Sequence, residues 1–463
     1  MRAALARGPL LVVSFVVACG TSDNGRTAGD AAPSGNATTD GSISSPDATV
    51  RDAAAEIASP PPPCGTDAWS TYGHDARRSF ATDACTKGPL TAMWHYQPAP
   101  PTGRTFETAF HAIAQTDGVF LQWMASDSPY TGTTAADRVS PSGTRVWTFD
   151  TGTDSNFGNW LTRWNDVVIL NDDGVYLLDA ATGMKKSSTG VDWWGQTIGD
   201  PARLYLANML QADGPGLFVG AVDATTKLLW QQNLHQECGH GWGDVVGGLA
   251  LDGGLLFYAP SYRSGTGETL TFPSGVFAFD AAAGTPKWSV TTVTPSSALS
   301  AGSGRIYLVE GANLVARSEL DGTQAWSAPL VAPGGQAPVL ADGKAIVATS
   351  AGVLAFDAAT GAPSWTAGTV MAQAPLSTSA ITNGCGKTIA VGGAIRTTMA
   401  ASLASDTLVV TAFDGLHLLS LSTGAESWKG TLDGGSADLH DPIPMGHLVY
   451  AIDSTGLVAL EGL

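Results

Sequence analysis

Ten residues near the middle of the chain hold its densest group of reactive side chains: His235-Gln236-Glu237-Cys238-Gly239-His240-Gly241-Trp242-Gly243-Asp244. Imidazoles, a thiol and carboxylates are the donors that transition metals take, and His235, Glu237 and His240 are the candidate ligands. Their spacing follows no zinc signature, and a Gly-rich connection carrying a disulfide-bonded Cys reads the same way. His440-Asp441 and the pair Glu107 and His111 are smaller groupings of the same kind. The chain has no Gly-x-Ser-x-Gly elbow to expose a nucleophile and no Walker loop to cradle phosphate. No catalytic residue is nominated, and the identity of any metal stays open.

The elements that must position these groups are written repeatedly along the chain. In Gly352 to Trp365, apolar residues lead into Phe356, a turn follows from Asp357 to Gly361, and Trp365 closes a second short strand. Asp357 and Thr360 can bond backbone amides locally, and Gly361 can take positive φ, so the strand reverses at low cost. Close copies run from Gly275 to Trp288 and from Gly415 to Trp428. Looser ones end at Trp326 and Trp230, and Trp147 follows Ser140-Pro141-Ser142-Gly143. In the copy from Gly174 through Asp179 and Gly183, Ser187 stands where the Trp should be; Trp94 has no repeat turn before it. Spacings of roughly 40 residues mean one supersecondary unit stacked many times.

Residues 1–18 read as an export signal. Arg2 and Arg7 precede an apolar run, Leu10 to Val17, too short to span a bilayer. Val16-Val17-Ala18-Cys19 follows the pattern of a lipobox, making Cys19 the lipidation site, with an ordinary secretory signal as the alternative. Residues 19–63 carry Ala, Ser, Thr, Asp, Gly and Pro without an aromatic ring and read as a disordered tether ending in Pro60-Pro61-Pro62-Pro63. Such a tether reaches on the order of 35 Å. The folded domain is then 64–463.

The chain has 23 basic and 41 acidic side chains, a net charge of −18. That balance excludes nucleic acid as a partner and confines membrane contact to the lipid anchor. Of the five Cys, Cys64 and Cys85 bracket a lead-in segment and form a candidate disulfide, while the pairing of Cys238 and Cys385 stays open.

The lead-in, Trp69-Ser70-Thr71-Tyr72-Gly73-His74-Asp75-Ala76-Arg77-Arg78-Ser79, resembles the opening of propellers built from PQQ-like repeats, and the Asp-x-x-Thr-Gly-x-x-x-Trp units resemble those repeats across residues 65–463. The resemblance implies an all-β fold, a single β-propeller in which each repeat Trp docks on a neighbouring blade. Trp94, Trp147, Trp230, Trp288, Trp326, Trp365 and Trp428 are then structural, and Ser187 marks one weaker joint. Four strands per blade give eight blades, with bodies near 106–150, 157–189, 193–235, 241–292, 297–330, 335–369, 373–432 and 437–463; seven is the alternative because 371–412 is irregular. The chain ends on Gly456-Leu457-Val458-Ala459-Leu460 without a Trp strand, and Pro89 to Tyr96 is a Trp strand without a preceding phrase. The N-terminal strand is therefore expected to complete the last blade and close the ring.

First strands of a propeller line the central channel. Trp160, Trp193, Trp194 and Trp242, with Asn159, Gln196 and Asp244 beside them, fall where first strands begin, while later blades place Ser296-Ser297-Ala298, Gly334-Gly335-Gln336 and Leu439-His440-Asp441 there. One half of the mouth is expected to be aromatic, a surface suited to peptide strands or sugars; the alternative is that these rings pack between blades. Quinoprotein dehydrogenases of the same superfamily carry an adjacent Cys-Cys pair and Glu, Asn and Asp ligands for calcium. This chain has no Cys-Cys, so PQQ is not expected as a cofactor. The resemblance to BamB-like lipoproteins of the outer-membrane β-barrel assembly machinery implies an outer-membrane, monomeric, non-catalytic scaffold binding proteins or extended peptides. A carbohydrate-binding protein or an enzyme using the aromatic mouth is the alternative.

Overall fold

The computed structural model describes residues 64–65, 68–128, 131–152, 160–171, 175–189, 196–207, 217–235, 248–260, 275–293, 295–331, 336–368, 370, 379–382, 388–391, 398–412, 414–431 and 439–462. They form an eight-bladed β-propeller of antiparallel four-stranded blades, the seventh extended at its inner edge by Ala81–Thr82, which pairs in parallel with Met399–Ser402. Blades 1 to 7 span 105–150, 160–189, 197–235, 249–290, 300–329, 339–367 and 399–430, each with its strands in chain order from the channel outward. A separate hairpin of Ser379–Thr382 and Thr388–Val391 sits between blades 6 and 7 in sequence, inside the stretch that blurred the count from the repeats.

Blade 8 takes its three inner strands from the C-terminus, His440–Met445, Leu448–Asp453 and Gly456–Glu461, and its outer strand from Thr91–Tyr96. Thr91 pairs with Glu461 and Tyr96 with Leu457, so the chain closes its own ring as expected and leaves no open blade. Middle strands such as Gly352–Asp357 are buried almost without alternation, because both faces of each sheet lie against neighbouring blades. Outer strands such as Pro286–Val290 are half exposed.

Six joints share one lock. An outer-strand Trp lies on the glycine of the next blade's turn and donates its indole N–H to a carbonyl there. Trp230 reaches Ala281 O at 3.1 Å and Trp326 reaches Ala358 O at 3.0 Å. A Cβ on Gly284 would sit 2.3 Å from the Trp230 ring, and one on Gly361 2.6 Å from Trp326, so the lock requires glycine on the receiving side. Trp94, Trp147, Trp288 and Trp365 stand in the same relation to Gly143, Gly183, Gly322 and Gly424, and Trp428 packs on Gly88 just ahead of the closing strand. The joint from blade 2 to blade 3 lacks both halves. Ser187 replaces the Trp, and the receiving turn, as short as the blade 1 turn that takes Trp94, has Thr226 at φ 65° where that turn has Gly143.

The lead-in is the hub. Trp69 N donates to Ala114 O of blade 1, and Ser70 O accepts from Arg163 N of blade 2. Thr71 Oγ1 donates to Thr197 O of blade 3 at 3.1 Å. The carbonyls of Ala76, Arg77, Ser79 and Phe80 then accept the amides of Leu251, Ala301, Leu340 and Ala401 in blades 4, 5, 6 and 7, at 2.7 to 2.9 Å. Thr82 Oγ1 donates to Pro444 O of blade 8. One short segment thereby satisfies an inner-strand backbone group in every blade. Three of its non-glycine residues, His74, Arg78 and Phe80, hold left-handed φ values to follow this circular path.

Candidate functional site

The lead-in crosses the channel at the middle to C-terminal half of the inner strands, so it forms a floor beneath the rim where those strands begin. Above it the structure assembles a polar group from distant parts of the chain. Asp441 opens the inner strand of blade 8 with φ 50°, held by its N–H to Thr398 Oγ1 at 2.6 Å. Its Oδ2 lies 3.2 Å from Nδ1 of His111 in blade 1 and 3.5 Å from Nδ1 of His440. Burial works against the charge, but hydrogen bonds from His111 and His440 hold the Asp441 carboxyl well below the usual carboxylate range.

Tyr72 packs edge-on to the His111 ring at 5.2 Å. Burial, and then the Asp441 charge, push its hydroxyl above the ordinary tyrosine range. Arg78 lies over the Tyr72 ring, its guanidinium carbon 5.3 Å from the centroid. Gln336 donates to Met399 O at 3.4 Å, and Gln196 Oε1 accepts the Leu249 amide at 3.1 Å. The cavity between Tyr72, Phe80, Gln336, Thr398 and Asp441 measures about 10 Å³, on the order of a single water.

On the opposite side, where turns join the strands, a cleft of about 440 Å³ is lined by Asp75, Arg77, Asp200, Arg203, Tyr205 and Asp252. Its charges are matched internally: Arg77 pairs with Asp252 at 3.0 Å, and Asp200 accepts from Tyr205 at 2.6 Å and from Arg203.

Of the residues nominated from sequence, Gln196 is placed at the start of the blade 3 inner strand and is buried. Trp160 opens the inner strand of blade 2, paired with Asn171, and His235 closes the outer strand of blade 3, paired with Leu217; their side chains lie outside the described residues. Cys19, Asn159, Trp193, Trp194, Glu237, Cys238, His240, Trp242, Asp244 and Cys385 also lie outside them. Among the described residues, no group of three or more His, Cys, Asp or Glu is placed to hold a metal ion. Cys64 and Cys85 are joined by a disulfide, Cα to Cα 5.2 Å. Sequence reasoning noted His111 and His440-Asp441 separately, but missed their convergence and missed Tyr72 and Arg78. The available signal was the polar start of late inner strands, Gln336 and Asp441, facing a lead-in rich in ionisable groups.

The family model described as outer membrane protein assembly factor BamB matches residues 273–404. The crystal structure of BamB from Moraxella catarrhalis has a TM-score of 0.54 at 14% identity, covering 81% of this chain and 98% of that one. Quinohemoprotein alcohol dehydrogenase from Comamonas testosteroni has a TM-score of 0.61 at 11% identity, covering 86% and 80%. The serine/threonine-protein kinase AfsK of Streptomyces coelicolor is 28% identical over 204 residues, 42% of this chain; the match spans only 22% of the kinase's length.

Proposed function

We propose that this chain, a β-propeller of PQQ-like repeats, is a lipid-anchored, non-catalytic scaffold of the cell envelope that binds proteins or extended peptides at its rim. The observation that carries this reading is the occupied channel. The place where a propeller of this kind has room for a buried small molecule is crossed by its own residues 69–82, which bond every inner strand. What remains beside Tyr72 and Asp441 is about 10 Å³, far below the several hundred that a cofactor-sized ligand needs. Binding then falls to the rim, to which the sequence pattern assigns the aromatic residues Trp160, Trp193, Trp194 and Trp242 together with Asn159, Gln196 and Asp244. The resemblance to BamB supports an outer-membrane address and envelope proteins as partners, and Cys19 supplies the anchor.

The test is crosslinking and pull-down from native membranes, comparing wild type with a folded Trp160/Trp194/Trp242→Ala variant. Recovery of envelope proteins that the variant loses supports the scaffold. Equal recovery from both removes the rim as the binding face, and no protein from either moves the reading to a glycan. Lipid labelling that persisted in Cys19→Ala would remove the anchor.

A further inference from the structure

Two arginines among the described residues are buried, and the chain treats them differently. Arg317, 6% exposed, is paired on one edge with Glu310, Nε to Oε1 at 2.6 Å and Nη2 to Oε2 at 2.8 Å, and its Nη1 donates to Gly322 O. Every edge of that guanidinium is answered from within its own blade, as a structural buried cation requires. Arg78, 1% exposed, is the opposite case. Among the described residues its Nε and Nη1 have no hydrogen-bond partner and no carboxylate forms an ion pair with it. The face of Tyr72 is its one charge-stabilising contact among them.

The direction of the group is informative. Nη1 points to the rim side, toward the residues that open the inner strands of blades 3 and 4. A Cβ placed on Gly248 would sit 1.8 Å from Nη1 and 2.9 Å from Gln196 Oε1, so the bare backbone of Gly248 lies close against that edge of the guanidinium, where any side chain would collide with it. The backbone of Arg78 itself is held at φ 60°, a left-handed conformation that a non-glycine residue adopts only at a cost. Among the described residues, a buried cation with no counter-charge is thus held on a left-handed backbone beside the start of the blade 3 and blade 4 inner strands.

We infer that Arg78 is the receptor for one carboxylate group entering from the rim, beside Gln196 and Gly248. One cation neutralises one negative charge, which fits a carboxylate rather than a phosphate dianion. In a chain of net charge −18 this is a local exception that lets an anion approach. Burial pulls the guanidinium down to about 10, and a bound carboxylate reverses that shift. The carboxylate comes either from a bound polypeptide, as its C-terminus or an acidic side chain, or from a free small acid. The polypeptide source rests on the scaffold reading; the site itself does not.

The experiment is a thermal-shift titration of the full chain with sodium acetate and with sodium succinate, against sodium chloride at matched ionic strength. A second arm compares one peptide with a free and with an amidated C-terminus. The expected result is a saturable rise in Tm with carboxylate over chloride, abolished in Arg78→Met, a change that by itself leaves ligand-free Tm level or raised because it removes an uncompensated charge. A shift confined to the free-terminus peptide identifies a polypeptide source, and one given by acetate alone identifies a small acid. Wild type indifferent to every carboxylate overturns the proposal, whether or not Arg78→Met folds, as does an equal response to phosphate. A fall in ligand-free Tm of more than about 10 °C in Arg78→Met also overturns it, because Arg78 is then paired within the chain. Loss of protein partners in the membrane pull-down with carboxylate binding intact would remove the scaffold and leave this site standing.

Discussion

His111 Nδ1 lies 3.2 Å from Asp441 Oδ2, although 330 residues separate them. The contact joins the inner strand of the first blade to that of the last, so it exists only because the ring is closed. Asp441→Asn keeps the side-chain shape and the tolerance for left-handed φ, but removes the charge that faces His111 and His440. The expected cost is about 3 kcal/mol at neutral pH. Because the folded-state pKa of Asp441 is depressed, its contribution is complete above the unfolded value and is lost as pH falls below about 4. Wild type and variant should therefore converge in Tm on acidification. A gap that stays constant from pH 8 to pH 3 would show that charge at Asp441 is not what the contact supplies.

That contact also marks what the sequence could and could not disclose. Blade limits and the repeat Trp were legible because each unit is local, its turn and its Trp lying within 14 residues of one another, as from Gly352 to Trp365. Ring closure was legible as well, since Gly456 to Leu460 lacked an outer strand that Pro89 to Tyr96 could supply. The channel floor was not. Tyr72 and Arg78 lie in a segment with almost no regular secondary structure, whose hydrogen bonds go to all eight blades. No periodicity in the segment itself carries that information.

The joint between blades 2 and 3 should accept the missing lock only when both halves are restored. Ser187→Trp alone brings an indole against the Cβ of Thr226, at a distance that elsewhere falls between 2.3 and 2.9 Å and is met by glycine. Thr226→Gly alone relieves a left-handed threonine and should stabilise by about 0.5–1 kcal/mol. The double substitution is expected to add about 2 kcal/mol from burying the ring. A double-mutant cycle in urea measures the coupling. Strictly additive single effects would mean that the turn at residue 226 does not receive the introduced ring.

Glu319 sets the alkaline side of the stability profile. Burial first, and the nearby Asp252 charge second, push its carboxyl up to about 7. A carboxyl raised in the folded state favours folding below its unfolded pKa, and that contribution is lost as pH rises through the folded value. Wild type should therefore lose stability between pH 5 and pH 8, by on the order of 1 kcal/mol after solvent screening. Glu319→Gln should match wild type near pH 4 and exceed it at pH 8. If the two Tm curves run parallel over that range, Glu319 is already ionised in the fold.

The disulfide decides whether the lead-in is a removable plug or part of the ring. Cys64 and Cys85 close a loop of 21 residues around it, and Gly65 and Asp83 are bonded just inside, N to O at 2.8 Å. Opening a loop of that size in the unfolded chain costs the native state about 3 kcal/mol of relative stability. Since the loop's backbone is bonded to inner strands all round the channel, that loss should be felt by the whole propeller. Cys64→Ser/Cys85→Ser is expected to lower Tm in one cooperative transition, with protease cleavage within 64–86 appearing only as the ring melts. Early cleavage of that segment at an unchanged Tm would instead define a detachable floor, and the eight blades would then hold their ring by the Trp locks and the closing strand alone.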